Sequence, residues 1–224
     1  MNVLEQLKGG LVVSCQPVDD GPMDRPEIVA AMAQAAVAGG AAGLRIEGVA
    51  NLRATRPLVR VPIIGLVKRD LADSPVRITV TIEDALALIE AGADVVAYDA
   101  TPRPRPDRRQ DILAAIVAGG VPAMADCSTV DDARTALAEG ATIIGTTMSG
   151  YTDETASNNS GPDLDLVKAC HALGAFVMAE GRFNTPDLAA QAILAGASSV
   201  TVGSALTRLE IMTGWFRDAV EDVR

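Results

Sequence analysis

In this chain a lysine, a glutamate and several other polar side chains each follow directly on a short apolar run. Lys68 ends the run in IIGLVKRD (Ile63–Asp70), with Arg69 and Asp70 beside it. A lysine acts as a general base or a Schiff-base nucleophile once desolvation or neighbouring cations bring its pKa towards neutrality. Arg45 and Arg69 are the candidate cations, and the competing assignment is a surface ion pair with Asp70. Glu180, in FVMAEGR (Phe176–Arg182), follows four apolar residues. A carboxylate there is either an acid/base group or the cap of a nearby backbone turn. Gln16, Arg45, Asp126, Thr146 and Thr147 also stand where apolar runs end. Gln16 and Arg45 suit sugar hydroxyls, an acetamide or a phosphate, and Asp126 suits a hydroxyl. Each has the plainer alternative of satisfying loop backbone groups. Glu47 reads as the ion-pair partner of Arg45, and Asp99 as structural.

Two glycine-containing turns have the composition of anion sites. Gly181 and Arg182 precede Asn184, Thr185 and a helix, while Gly203 and Ser204 close one apolar run and open the last helix. Backbone N–H groups at helix starts attract phosphate, and α/β barrels commonly hold phosphate in the loops after strands 7 and 8. The two turns together predict a phosphorylated substrate.

Other chemistries are disfavoured by counting. The one histidine, His171, falls in a predicted helix, which leaves no His-rich metal site and a poor Ser-His-Asp triad. Three cysteines, Cys15, Cys127 and Cys170, form no CxxC pair and are odd in number, so free thiols and a reducing cytoplasm are expected. The net charge of −10 argues against nucleic acid, whose phosphates reward a basic surface. No run approaches the roughly 20 apolar residues of a membrane span. The segment MNVLEQLKGGLVVSCQ lacks the features of a secretory leader.

The elements that must position these residues are legible as a rhythm. Apolar runs predict strands at Leu11–Ser14, Gly43–Ile46, Ile63–Leu66, Val95–Tyr98, Pro122–Ala125, Thr142–Gly145, Phe176–Ala179 and Ser199–Val202. Unbroken apolarity suits strands buried on both faces, as in a parallel sheet covered by helices. Helical spacing falls between them, at Pro26–Ala38, Thr81–Glu90, Val130–Ala138 and Thr185–Leu194 among others. Asp24 with Pro26, Thr129–Asp132 and Asn184–Pro186 mark helix starts, and AVAGG, IEAGA, LAEGA, HALGA and ILAGA mark stops. Eight such units within 1–224 predict one (β/α)₈ (TIM) barrel domain, with the polar residues gathered at the carboxyl ends of the strands. An open doubly wound sheet is the lesser alternative, since no GxGxxG follows the first strand. The irregular stretches Thr101–Asp107 and Gly150–Pro162 both follow strands and are expected over the catalytic face, with ASNNSG reading as mobile.

Taken together, SCQ (Ser14–Gln16), GLRIEG (Gly43–Gly48), VPIIGLVKRDL (Val61–Leu71), AGADVVAYDAT (Ala91–Thr101), ADCST (Ala125–Thr129), IIGTTMSGYT (Ile143–Thr152), AEGRFNTP (Ala179–Pro186) and VTVGSALTRLE (Thr201–Glu210) resemble N-acetylmannosamine-6-phosphate 2-epimerases, in order and over nearly the whole chain. The resemblance implies a barrel isomerase that interconverts N-acetylmannosamine 6-phosphate and N-acetylglucosamine 6-phosphate in sialic-acid and amino-sugar catabolism, with no metal, nicotinamide or other cofactor. It puts Lys68 and Glu180 in the acid/base roles. It puts substrate contacts on Gln16, Arg45 and Asp126, and the phosphate near Gly181, Arg182, Gly203 and Ser204. The departures are in loops, at PRPRPD and ASNNSG.

That chemistry suits the residues. Opening the sugar ring makes the proton on carbon 2 acidic, and its removal leaves an enediolate-like intermediate that needs donors, for which Arg45, Thr146 and Thr147 are candidates. Return of a proton to the other face needs two acid/base groups or one group and a turning intermediate. Pairing with Glu180 would raise the lysine's pKa, whereas base catalysis wants it lowered. A Schiff-base aldolase using Lys68 and a silent sugar-phosphate-binding barrel are the rival readings. The C-terminal helix, Ala205–Val223, carries Leu206, Leu209, Ile211, Met212, Trp215 and Phe216. Part of that stripe packs on the barrel, and the remainder is the candidate homodimer contact.

Overall fold

A computed structural model of the chain describes residues 2–158 and 160–223. Eight strands are all parallel and close on themselves: β1 Leu11–Cys15, β2 Gly43–Glu47, β3 Ile63–Leu66, β4 Val95–Asp99, β5 Ala123–Asp126, β6 Ile143–Gly145, β7 Phe176–Glu180 and β8 Ser199–Val202. Each pairs with the next in the chain, and β1 meets β8 through Leu11↔Val200, Val12↔Thr201 and Val13↔Val202. The helices are α1 Val3–Leu7, α2 Pro26–Ala38, α3 Val49–Thr55, α4 Ile82–Glu90, α5 Arg109–Ala118, α6 Val130–Glu139, α7 Leu164–Ala172, α8 Pro186–Leu194, α9 Ser204–Thr207 and α10 Leu209–Glu221. The result is a (β/α)₈ barrel, and no helix among the described residues is long and apolar enough to cross a membrane.

The period of two along each strand divides the apolar residues between two cores. Val12, Ile64, Leu66, Val95, Ala97, Met124, Ile143 and Met178 pack inside the barrel. Their neighbours Val13, Ile63, Val96, Ala123, Ala125, Ile144, Val177 and Ala179 face the helices. The bottom of the barrel is stopped by Leu7, fully buried on the short helix α1, which the apolar pattern alone did not reveal. Burying that one side chain contributes about 2 kcal/mol.

Local signals account for most helix ends. Thr81 and Thr185 read as the first helical residues, but they are the caps, accepting the Asp84 and Leu188 N–H groups. Thr129 and Asp132 form a reciprocal capping box. Pro26 does open α2, whereas Asp24 accepts the Asp20 N–H within the preceding loop. Gly140 ends α6 at φ 108°, where a side chain would be strained.

Three expectations change. The C-terminal helix is broken at Arg208 (φ −109°, ψ 81°) into α9 and α10. The Thr207 hydroxyl donates to Ser14 O at 2.7 Å and Arg208 Nε to Gln16 O at 3.0 Å, so the end of β1 holds the chain at the break. The stretch 101–107, at the carboxyl end of β4, is folded around the fully buried Asp99 and does not line the cavity. The Asp99 carboxylate accepts from the Thr101 N–H and hydroxyl and from Arg103 and Arg105. The loop 150–162, of which Asn159 is outside the described residues, is anchored. Ser128, Thr152 and Thr155 join hydroxyls in a buried triangle with sides of 2.6, 2.8 and 2.9 Å, and Asp163 accepts from Ser149 at 2.6 Å. All three cysteines are free and fully buried, and burial pushes the Cys15 and Cys170 thiols up to about 12.

Candidate active site

The same alternation that builds the inner core delivers chemistry to the barrel's mouth. Residues in phase with the inward-facing apolar positions include Gln16, Arg45, Glu47, Asp126, Thr147, Glu180 and Thr201. At the carboxyl ends of the strands Gln16, Arg45, Thr147, Glu180 and Thr201 line a cavity of about 600 Å³, while Glu47 and Asp126 stand behind its wall. Its lining includes Gln16, Arg45, Lys68, Thr147, Glu180, Gly181, Arg182, Gly203 and Ser204 from the sequence-predicted set.

Arg45 organises one wall. Its guanidinium, 1% exposed, donates Nη1 to Asp126 Oδ1 at 3.1 Å and Nη2 to Asp126 Oδ2 at 2.6 Å, a bidentate pair. Nη1 also reaches Glu180 Oε2 at 2.8 Å. Burial opposes its charge, but Asp126 and Glu180 more than offset this and raise its pKa. The Arg45 Nε–H and the Thr201 hydroxyl are buried without a protein partner among the described residues. Both residues line the cavity.

Glu180 is held by both of the predicted threonines, in different ways. The Thr147 hydroxyl donates to Asp126 Oδ1 at 2.6 Å and lies 3.4 Å from Glu180 Oε2. Thr146 has the opposite phase and never reaches the cavity. Its hydroxyl donates to Glu180 O at 2.8 Å and accepts the Glu180 N–H at 3.0 Å. Asp126, fully buried, also stands behind the wall, as the support of Arg45. Burial pushes the Glu180 carboxyl up to about 7, against the pull of Arg45 and with the push of Asp126.

Lys68 faces this wall. Burial lowers its pKa, as do Arg208 and Arg45, while Asp19 and Glu47 oppose them. Among the described residues its amine has no hydrogen-bond or ion-pair partner. The sequence-based neighbours need correction. Asp70 pairs with Arg77 at 2.6 Å and Arg69 with Asp84, so neither reaches the lysine. Glu47 is not the partner of Arg45; its Oε1 accepts the Lys68 backbone N–H at 3.1 Å.

The two glycine turns meet above β7 and β8. Gly181 (φ 108°) and Arg182 (φ 61°) are both left-handed, and their N–H groups take no part in the surrounding backbone bonding; nor do those of Gly203 and Ser204. The Arg182 guanidinium, however, is spent on the carbonyls of Gly161 (2.6 Å), Asn158 (2.7 Å) and Ser149 (2.9 Å). It lies over the Tyr151 ring at 5.1 Å. As an anion ligand Arg182 therefore offers its backbone, while its side chain ties down the loop. Gln16 donates Nε2 to Ser14 Oγ at 2.8 Å.

Sequence reasoning missed Arg77, Tyr151, Thr201, Arg208 and Trp215, all of which line the cavity. Thr201 was findable from its phase in β8; the others lie in loops or beyond the helix break. Among the described residues no group of three or more His, Cys, Asp or Glu side chains is placed to hold a metal. The arrangement opposes an amine of lowered pKa to a carboxyl of raised pKa, each moved towards neutrality, across an array of fixed donors. That combination suits proton transfer at a carbon acid.

Residues 29–222 match the model of a family described as "Putative N-acetylmannosamine-6-phosphate epimerase". A protein of Pasteurella multocida is 59% identical over 99% of this chain and 96% of its own length. One of Haemophilus influenzae is 57% identical over the same shares. Both are named "Putative N-acetylmannosamine-6-phosphate 2-epimerase". The solved structure of the N-acetylmannosamine-6-phosphate 2-epimerase from Clostridium perfringens superposes with a TM-score of 0.94 at 36% identity, covering 98% of this chain and 96% of that one. A thiamine phosphate pyrophosphorylase from Pyrococcus furiosus, at 18% identity and a TM-score of 0.63, shares the fold alone.

Proposed function

The chain belongs to the N-acetylmannosamine-6-phosphate epimerase family, and from that premise we propose that it interconverts N-acetylmannosamine 6-phosphate and N-acetylglucosamine 6-phosphate by moving the proton on carbon 2. The observation that carries the reading for this chain is the unpartnered Lys68 amine facing the Arg45–Glu180–Asp126 array across one cavity. With the ring open and carbon 1 an aldehyde, neutral Lys68 takes the carbon-2 proton, and the electron pair moves onto the oxygen of carbon 1. Arg45 and the donors around it stabilise that enolate. Delivery of a proton to the other face of carbon 2 completes the inversion, with Glu180 as its source or as the carboxylate that orients Arg45. The 6-phosphate is taken by the backbone of Gly181, Arg182, Gly203 and Ser204, and Gln16 binds a polar group of the sugar. The Arg208 guanidinium, which among the described residues spends only Nε on the protein, adds positive charge beside them. No cofactor enters this scheme. Its place is amino-sugar catabolism, including that of sialic acid, in the cytoplasm, where three free thiols stay reduced. The exposed stripe Leu209, Phe216 and Val220 of α10 is the proposed contact of a homodimer.

The test follows N-acetylmannosamine 6-phosphate by proton NMR in D₂O with EDTA-treated protein. The N-acetylglucosamine epimer should appear with deuterium at carbon 2. Lys68→Ala should lose that exchange by at least about 10³-fold. Absence of both epimer and exchange, with an active epimerase run alongside, would sink the reading. Borohydride trapping of Lys68 with a keto acid would favour an aldolase instead.

A further inference from the structure

Lys68 lies beyond the end of β3, yet its backbone is gripped from both neighbouring strands. On the β2 side, Glu47 Oε1 accepts its N–H at 3.1 Å. On the β4 side, Thr79 closes on Val67, the residue before it. The Thr79 N–H donates to Val67 O at 2.7 Å, and the Val67 N–H donates to Thr79 Oγ1 at 3.3 Å. The Thr79 hydroxyl in turn donates to Ala97 O, within β4, at 2.7 Å. Ile78, next to Thr79, bridges Lys68 in an antiparallel pair. Thr79 is fully buried and has φ 45°. A β-branched side chain is strained in that region, and such strain persists where the surroundings over-determine it, often beside a functional group. Neither Glu47 nor Thr79 lines the cavity.

We propose that Glu47 and Thr79 are positioning residues for Lys68: together they fix its backbone so that the amine enters the cavity without a partner. This rests on Lys68 being the proton-transferring group. The charged groups around the amine are Asp19 from the loop after β1, Arg45 and Glu47 from β2, Arg77 from its own loop, Glu180 from β7 and Arg208 from between α9 and α10. Arg45 is neutralised by Asp126 and Glu180, and Arg77 is shared by Asp19 and Asp70. Of these three carboxylates, Asp19, Glu47 and Glu180, only Glu47 has no cation within ion-pair distance among the described residues, so removal of its charge is felt by the lysine directly.

The experiment compares wild type, Glu47→Gln, Thr79→Val and Thr79→Ser in carbon-2 exchange and in the pH profile of kcat/KM. Glutamine keeps an oxygen for the Lys68 N–H and removes only the charge. The rising limb, which reports the free base, should move to lower pH by about half a unit or more in Glu47→Gln. Thr79→Val should lose about 10- to 100-fold in kcat, with KM within about threefold and the limb in place. Thr79→Ser, which keeps the hydroxyl, should stay within about threefold of wild type. An unmoved limb in Glu47→Gln overturns the proposal, even where Thr79→Val does not fold. So does equal loss of kcat in the valine and serine variants. Failure of the wild type to exchange at all would instead remove the functional reading on which this rests.

Discussion

Glu180 is held in a state its surroundings resist, and that resistance has a measurable cost. Its carboxyl is pushed up to about 7 chiefly by burial, whereas an exposed glutamate ionises near 4.5. Below the lower value both folded and unfolded chains carry the proton. Between the two the unfolded chain ionises first, so stability falls as pH rises, and above about 7 the whole penalty is present. Glu180→Gln should therefore match the wild type in stability near pH 4.5 and exceed it at pH 8 by about 1–3 kcal/mol, while losing activity. Urea unfolding at the two pH values measures this, and equal stability at pH 8 would show that Arg45 fully compensates the charge. At this scale much was legible from phase. Lys68 and Glu180 stand at strand ends in step with inward-facing Leu66 and Met178, as does Thr147 with Ile143. The same count puts Thr146 on the other side, where it holds the Glu180 backbone instead of touching the cavity. Side-chain partners were not legible, because Asp70 directly follows Lys68 and Arg69 and Glu47 lies two residues from Arg45, yet neither carboxylate pairs with those near cations.

Strand β6 supports the site by being narrow. A Cβ on Gly145 would stand 2.6 Å from Met124 Cε and 2.9 Å from both Asp126 Oδ1 and Thr147 Oγ1. Gly145→Ala should displace that pair and cost about 1–3 kcal/mol of stability, with kcat reduced more than KM is raised. Steady-state kinetics beside thermal unfolding would show it. The strands were readable because each is an unbroken apolar run bounded by polar residues, and a doubly buried strand has no other simple sequence. Helix α1 was not, since five residues are too few for a helical period to register. Nor was the break at Arg208, where apolar spacing continues from α9 into α10. Bonds from Thr207 and Arg208 to the end of β1, some 190 residues away, override the local preference. The loop 101–107 reads as open surface because it is rich in proline and arginine, and only the fold shows that Asp99 gathers Arg103 and Arg105.

At the scale of the whole molecule, α10 is a 13-residue helix left largely uncovered. No residue of α10 is buried, and Leu209, Phe216 and Val220 are each more than half exposed. Ile211 and Trp215, on another face, line the cavity. Sedimentation should therefore show a dimer that Phe216→Asp dissociates, whereas Trp215 emission should respond to substrate. Monomeric wild type at micromolar concentration would remove the helix from consideration as a contact. The barrel's three thiols have a further consequence. Cys15 lies at the end of β1, Cys127 just beyond β5 and Cys170 in α7, each beyond the reach of a reagent while the packing around it holds. A chemical label can reach each one only when its own part of the wall parts, so the rates of modification of the three sites under native conditions amount to a map of where the barrel breathes.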